Sequence, residues 1–491
     1  MDHVQDYERL RQRPNPVNIG FLGILLFILA SAECLSATHY VVTNGTPGWI
    51  GAADPYTNWA TAGTNIIDVV NAAMTNTTPR VILVTNGVYY PTNVIDITNY
   101  LTLQSVNGRD VTTLAGQGST FRCVTFSGGT NSVLDGFTVT NFAPSSFGAV
   151  YSSTNGVSII NCQFVKNSGG VYINTPGYGG IVTNCVFSNN THSGNIGGGL
   201  LISHGLGVHD ERVENCYFYG NSCPSATTAS GGGCYICGID CIISNCVFIN
   251  NLHRVAGGAI GVAGGSGYTI LNCSIISNFT TKLYGPDNGG GGIFSRTAAG
   301  TLIKDCSIIG NSSATTGGGV LACSSATIQN CLIARNQTTG TYGTVGGGVY
   351  LNNASVKNCT IVSNYANTSG GGAFIDGSGG GTNNIVYFNT AGVSADNFTN
   401  TAGNTGLQYS CVIPAVDGTR NITNDPSLVS LDGGNYRLKD NSPCVNAGLN
   451  QSWMPNAVDL DRSKRIDGGT VDIGCYEYQY GVPKYYLWAK P

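Results

Sequence analysis

The sequence predicts an all-β solenoid, a chain wound into stacked coils of three short strands. Three observations lead there. The pattern [VI]-x-[ND]-C-x-[FI]-x-x-N occurs eight times, with 23 to 33 residues between successive cysteines. A fixed core repeated at that period with variable insertions marks a solenoid. The apolar positions change phase inside each repeat, as a turning chain requires, and glycine runs follow most repeats.

From the N-terminus, residues 1–17 are polar and carry Arg9, Arg11 and Arg13, followed by the apolar run VNIGFLGILLFILASA. That run is shorter than the ~20 residues of a membrane span and has the length of a secretion signal. Ala30-Ser31-Ala32 and Leu35-Ser36-Ala37 are candidate cleavage sites, so residues 1–37 read as a signal peptide, with an uncleaved membrane anchor as the alternative. Residues 38–80 read as an N-terminal cap. Thr64 or Asn65 can cap a helix through IIDVVNAAM, whose Ile66, Val69, Val70 and Ala73 share one face. The strand Val81-Ile82-Leu83-Val84 and the turn Asn86-Gly87 then open the solenoid.

Residues 81–410 form the coils. Val356 and Ile361 are five apart, an odd step, and one straight strand cannot point both inward. The chain must turn between them. Asn358 stands at the break, and Asn tolerates a left-handed backbone better than any residue but Gly. The same place is held by Asn161, Asn184, Asn215, Asn245, Asn272, Asp305 and Asn330, a turn ladder able to hydrogen-bond from coil to coil. The cysteine after each faces inward as a small apolar side chain. A second Asn, as in Asn364, begins a looser turn, and the glycines lead into a third strand such as Val349-Tyr350-Leu351.

This pattern resembles a right-handed parallel β-helix of the pectin lyase-like superfamily, over about residues 80 to 410. The string N-C-x-I-x-x-N…GGG also resembles the repeat of polymorphic outer membrane proteins. The stretch from Pro55 to Tyr90 is similar to the opening of many bacterial β-helix proteins. The tail DPSLVSLDGGNYRLKDNSPCVNAGLN…DLDRSKRIDGGTVDIGCYEY is similar to the C-terminal segment of exported ones, of the kind that a variable anchor often follows. Residues 411–491 therefore read as a small β-rich capping segment. The last 80 residues are too few for an eight-stranded membrane barrel with its turns.

Function is written in the irregular residues. Net charge is −4 with no basic run, which argues against nucleic-acid binding. In the strand after each glycine run the first and third residues face in and the second faces out. That outward row holds Tyr172, Tyr235, Phe294, Tyr350 and Phe374, with Leu201, Gly261 and Leu321 between them. Exposed aromatic rows mark binding surfaces, and flat rings suit sugar faces. The resemblance places the usual substrate groove on this same strand. Loops covering the rings are the alternative.

Catalytic candidates are His204, His209, Asp210, Glu211 and Arg212 in an insertion after that strand, and Asp376 in the next outward column. An acid, a base and a cation would suit a polysaccharide lyase or glycoside hydrolase, while a charged surface loop is the plainer reading. The Asp-Asp pair and Gly-His-Gly motif of polygalacturonases and the Arg-rich motif of pectate lyases are absent. No metal site or cofactor is expected. Asp459, Asp461, Ser463 and Asp467 could line a calcium loop, against a plain polar turn, but lack the Gly and terminal Glu of an EF-hand. The expected protein is secreted or on the cell surface and binds glycans without catalysis. Its partners are polysaccharides or surface glycans, with membrane contact only through an uncleaved N-terminus. An enzyme and a ligand-free spacer are the alternatives.

Overall fold

The structure is a computed structural model. It describes residues 37–43, 50–75, 80–146, 148–194, 197–203, 210–282, 288–341, 343–393, 397–401 and 406–479. The repeat folds into a parallel β-solenoid with three long walls between residues 37 and 412. Sheet A has 14 strands, sheet B 13 and sheet C 12, and every neighbour within them is parallel. One coil shows the route. Ser355–Lys357 lies in sheet A, Asn358 turns the chain, and Thr360–Val362 lies in sheet B. Ala373–Asp376 then lies in sheet C.

The turn residue takes the left-handed conformation in every repeat, with φ between 50° and 55° from Asn161 to Asn358, Asp305 included. That kink lets Val356 and Ile361 both point into the core, where each is fully buried. Register holds one-to-one from coil to coil, as in Ile328 against Val356 and Ile333 against Ile361. Each side chain therefore packs on its own counterpart. Phe164, Phe187, Phe218 and Phe248 stack with ring centroids 5.0, 4.7 and 4.5 Å apart. The repeat cysteines are reduced and buried beside them. Cys359 Sγ donates to the Ile328 carbonyl of the preceding coil at 3.7 Å.

Two features differ from the expectation. The central coils have a fourth wall, sheet D, built of seven two-residue strands from Ser222–Cys223 to Thr390–Ala391. Each buries at most one residue, and Cys223 and His253 face the insertions rather than the core, too little for periodicity to register. The continuous ladder, moreover, belongs to the second Asn column. Asn278 is buried, its Nδ2 donates to Asn311 Oδ1 at 3.0 Å and to the Phe248 carbonyl at 3.0 Å, and its Oδ1 accepts from Asn251 Nδ2 at 2.9 Å. The bonds repeat from Asn167 to Asn389. An amide is donor and acceptor at once, so a column of identical amides satisfies itself. The first column bonds only in places, as where Asn184 Nδ2 meets Asn161 Oδ1 at 3.3 Å in the open.

The glycine runs let neighbouring coils approach backbone to backbone. A Cβ at Gly291 would stand 2.4 Å from the Gly318 carbonyl oxygen.

At the N-terminal end the helix Ile66–Met74 covers the core with Ile66, Val69, Val70 and Ala73, and Asn65 caps it by accepting from the Ile67 N–H at 3.0 Å. Ala37–Val41 adds a further strand to sheet A before Arg80–Val84, so the sheet begins inside the segment read as a cap. The signal-peptide reading lies outside the described residues except for Ala37, where that strand starts.

The C-terminal segment divides its work. Val416, near the turn that brings Ile422 back to Ser410 and Val412, packs against the core beyond the last coil. From 426 to 479 the chain folds back over the outer face of sheet B. Leu428, Tyr436, Leu438, Cys444, Ile473 and Tyr476 there bury Leu332, Val362 and Ile385. Among the C-terminal segment's described residues the strands are Cys411–Val412, Leu428–Ser430 and Asn435–Leu438, so the described part is mainly turns rather than β-rich.

Candidate functional site

The outward row of sheet C runs Tyr151, Tyr172, Leu201, Tyr235, Gly261, Phe294, Leu321, Tyr350, Phe374 in unbroken register. Its fate varies along the axis. At the C-terminal end Tyr350 and Phe374 stack, with centroids 5.8 Å apart and planes 11° from parallel, and both are half-buried. Asp376 and Asn352 stand beside them in the next outward column. Asp376 accepts from Tyr350 Oη at 3.0 Å and from Thr401 Oγ1 at 3.1 Å. Burial first, then the Asp376 carboxylate, pushes the Tyr350 phenol up to about 12.

A second pair, Tyr151 and Tyr172, lies toward the N-terminal end with centroids 5.2 Å apart. The Arg122 guanidinium sits 4.1 Å from the Tyr151 ring centre. Tyr151 was missed in the sequence because its coil lacks the Asn-Cys signature by which the rows were aligned.

Between the pairs the row is covered at Leu201, Phe294 and Leu321, while Tyr235 is half-buried. Phe294 is 4% exposed and Leu321 1%, packed under Cys223, Ala226, Val255 and Ala256. Phe294 is thus corrected from a surface candidate to a covered one. Its ring points away from the solenoid core, but insertions after the sheet D strands close over it. His253 pins that cover. Its Nδ1 accepts the N–H groups of Val255 at 3.1 Å and Ala256 at 3.0 Å, which leaves Nε2 to donate to Ser230 Oγ at 2.8 Å. Leu201 is buried as well, and burial pushes the half-buried Tyr235 phenol up to about 12.

The described end of the charged insertion, residues 210–212, lies away from this face. His204 and His209 lie outside the described residues. Glu211 and Arg212 have crossed to sheet A, where Arg212 heads a strand and pairs with Glu214 at 3.6 Å on the outside. Glu211 is fully buried and accepts from Cys241 Sγ at 3.2 Å. Asp210 is exposed in a left-handed turn. The alternation of inward and outward residues could have shown this, because Val213 is the inward residue of the next sheet A strand.

In the tail, Asp459 Oδ1 accepts the N–H groups of Asp461 at 2.9 Å and Ser463 at 2.8 Å, and Asp461 pairs with Arg437. Asp459 thus closes a polar turn through backbone N–H groups. Among the described residues, no group of three His, Cys, Asp or Glu is arranged to hold a metal, and no helix is long and apolar enough to cross a membrane.

Residues 212–405 match the family described as right-handed beta helix region. No curated protein sequence matches the chain. Among solved structures it is similar to pectate lyase Pel9A, at 16% identity and a TM-score of 0.39, over 90% of this chain and 96% of that one. It is similar to the A-module of Azotobacter vinelandii mannuronan C-5 epimerase AlgE6, at 13% identity and 0.45, over 74% and 94%. For the catalytic unit of a GH87 alpha-1,3-glucanase from Streptomyces thermodiastaticus strain HF3-3 the values are 15% and 0.41, over 73% of this chain and 64% of that one. The fold is a right-handed parallel β-helix.

Proposed function

We propose that this is an exported β-helix protein that binds polysaccharide along the outer face of sheet C without cleaving it. The observation that carries this reading is the Tyr350–Phe374 pair, two nearly parallel rings left half open beside Asn352 and Asp376. Rings of this kind give apolar area at little entropic cost, and the flanking groups can meet sugar hydroxyls. The Tyr151–Tyr172 pair lies six coils before Tyr350 counted from Tyr172, about 29 Å at ~4.8 Å per coil. A long glycan can span both, and a single sugar cannot.

Hydrolysis of glycosides needs two carboxyls roughly 5 to 9.5 Å apart. Asp376 has Asn352 before it in its column and Thr401 bonded on its other side. As a lyase base, Tyr350 would be poorly matched to neutral pH, since its phenol is held near 12. The test is to incubate purified residues 38–491 with a panel of neutral and acidic polysaccharides, measuring retention and products. Retention without new reducing ends or unsaturated sugars is expected. Product formation abolished by Asp376→Asn would overturn the non-catalytic reading in favour of a lyase or hydrolase, and no retention on any glycan would leave the spacer.

A further inference from the structure

Not all cysteines of this chain stand alike. The repeat cysteines are parallel neighbours, one per coil at ~4.8 Å, with side chains pointing the same way. A disulfide needs Cβ atoms about 3.8 Å apart, so bridging two of them would distort the wall. Each instead donates to carbonyls, as Cys331 Sγ does to Gln329 at 3.2 Å and Ile303 at 3.6 Å.

Cys411 is different. It pairs in register with Ile385, in the column of sheet B that faces outward. There it meets the folded-back tail and lies in one buried cluster with Cys444. Cys411 Sγ donates to the Asn424 carbonyl at 3.2 Å, and the neighbouring Cys411 thiol, ahead of burial, pushes the Cys444 thiol well up. Both backbones are held. The Cys411 N–H donates to the Asn384 carbonyl at 2.8 Å, and the Cys444 carbonyl accepts from the Ile473 N–H at 3.0 Å. One cysteine belongs to the last full coil and the other to the segment covering it.

We propose that Cys411 and Cys444 form a disulfide that fastens the C-terminal segment to the side of the solenoid. The oxidant is an external disulfide, small or carried by an oxidoreductase. The thiolate of one cysteine attacks it and releases one reduced thiol. The thiolate of the other then attacks the mixed disulfide and releases the second. Two protein thiols and one oxidant disulfide become one protein disulfide and two oxidant thiols, and electrons and protons balance. Because the pair is buried in the finished fold, oxidation accompanies docking of the tail. This inference is independent of the glycan reading.

The test is to produce the full chain in an oxidising compartment, unfold it, and alkylate free thiols with and without prior reduction. Digestion and mass spectrometry then assign each cysteine. The expected result is a linked Cys411–Cys444 peptide that separates on reduction, with Cys273 and the other repeat cysteines alkylated throughout. Full alkylation of Cys411 and Cys444 without reduction would overturn the proposal, as would a link from either to Cys475. A second readout is limited proteolysis. Cys411→Ser, Cys444→Ser and the double variant should release the tail equally fast, and severalfold faster than the parent. Additive effects of the two substitutions would contradict a shared bond.

Discussion

Two walls of the same coils carry apolar residues outward and meet different fates. On sheet B, Leu332, Val362 and Ile385 are buried under the chain's own C-terminal segment. On sheet C, Tyr350 and Phe374 stay half open, although loops cover their neighbours Phe294 and Leu321. The difference teaches what to read as structure and what as surface. An outward apolar row becomes a binding face only where the chain has not already supplied its cover. The two walls also differ in chemistry. In the solenoid each side chain meets the residue at the same place in the next coil, which suits columns of amides, thiols and rings but not of charges, since like charges in a column repel. The tail has no such symmetry and buries Arg465, Asp459, Asp472 and Glu477 together.

The strongest way to break the comparison is to lift the cover from sheet B. Arg465 is the cation among the three buried carboxyl groups, 3.6 Å from Glu477 and hydrogen-bonded to the Asp472 and Gly474 carbonyls. Arg465→Met should cost about 3–5 kcal/mol, as expected when one partner of a buried pair is removed. The tail should detach and apolar-dye binding should rise, while the β-sheet circular dichroism of the solenoid persists. If the spectrum collapsed with the tail, the two parts would be one cooperative unit.

On the other wall, Tyr350→Ala/Phe374→Ala should weaken polysaccharide retention at least tenfold, about 1.4 kcal/mol or more. Its melting temperature should stay close to that of the parent, because the rings lie outside the core.

A smaller effect separates the walls by pH. Burial first of all raises Asp459 and Asp472 to about 6 and Glu477 to about 9. The folded tail thus holds protons that the unfolded chain has released. Its stability is full below the unfolded values near 4 and is lost as pH rises through 6 and then 9. Tail release followed by proteolysis should speed up from pH 5 to pH 9. Glu477→Gln should flatten the upper part of that profile, whereas the solenoid, whose core columns are neutral, should unfold with little change across it.

The smallest effect concerns the turns. Asn184→Ala should cost about 1–2 kcal/mol through its left-handed backbone, and Asn184→Gly much less. Equal costs in thermal unfolding would shift the importance to the exposed amide bond.

The repeat made the walls, the left-handed Asn turns and the buried thiols legible, because each is stated eight times over. The second Asn column was visible in its invariance, but its role was not. Nothing in the residue type says whether an amide at a turn bonds along a buried ladder or to water. Sheet D escaped because its two-residue strands bury at most one residue each, under the insertions rather than in the core. The outward row was readable, yet its cover was not, since the insertions that bury Phe294 have no repeat to align. Glu211 and Arg212 were read into the insertion beside sheet C because an insertion gives no count of where one wall ends and the next begins.

The measurement that bears most directly on the functional reading is affinity electrophoresis through the best-retained polysaccharide, with two double variants side by side. One is Tyr350→Ala/Phe374→Ala on sheet C. The other is Tyr217→Ala/Tyr219→Ala, a half-buried tyrosine pair 6.5 Å apart on the outer face of sheet B. Loss of retardation in the first and parent-like retardation in the second is the result predicted. Equal loss in both, or none in the first, would contradict a binding face on sheet C.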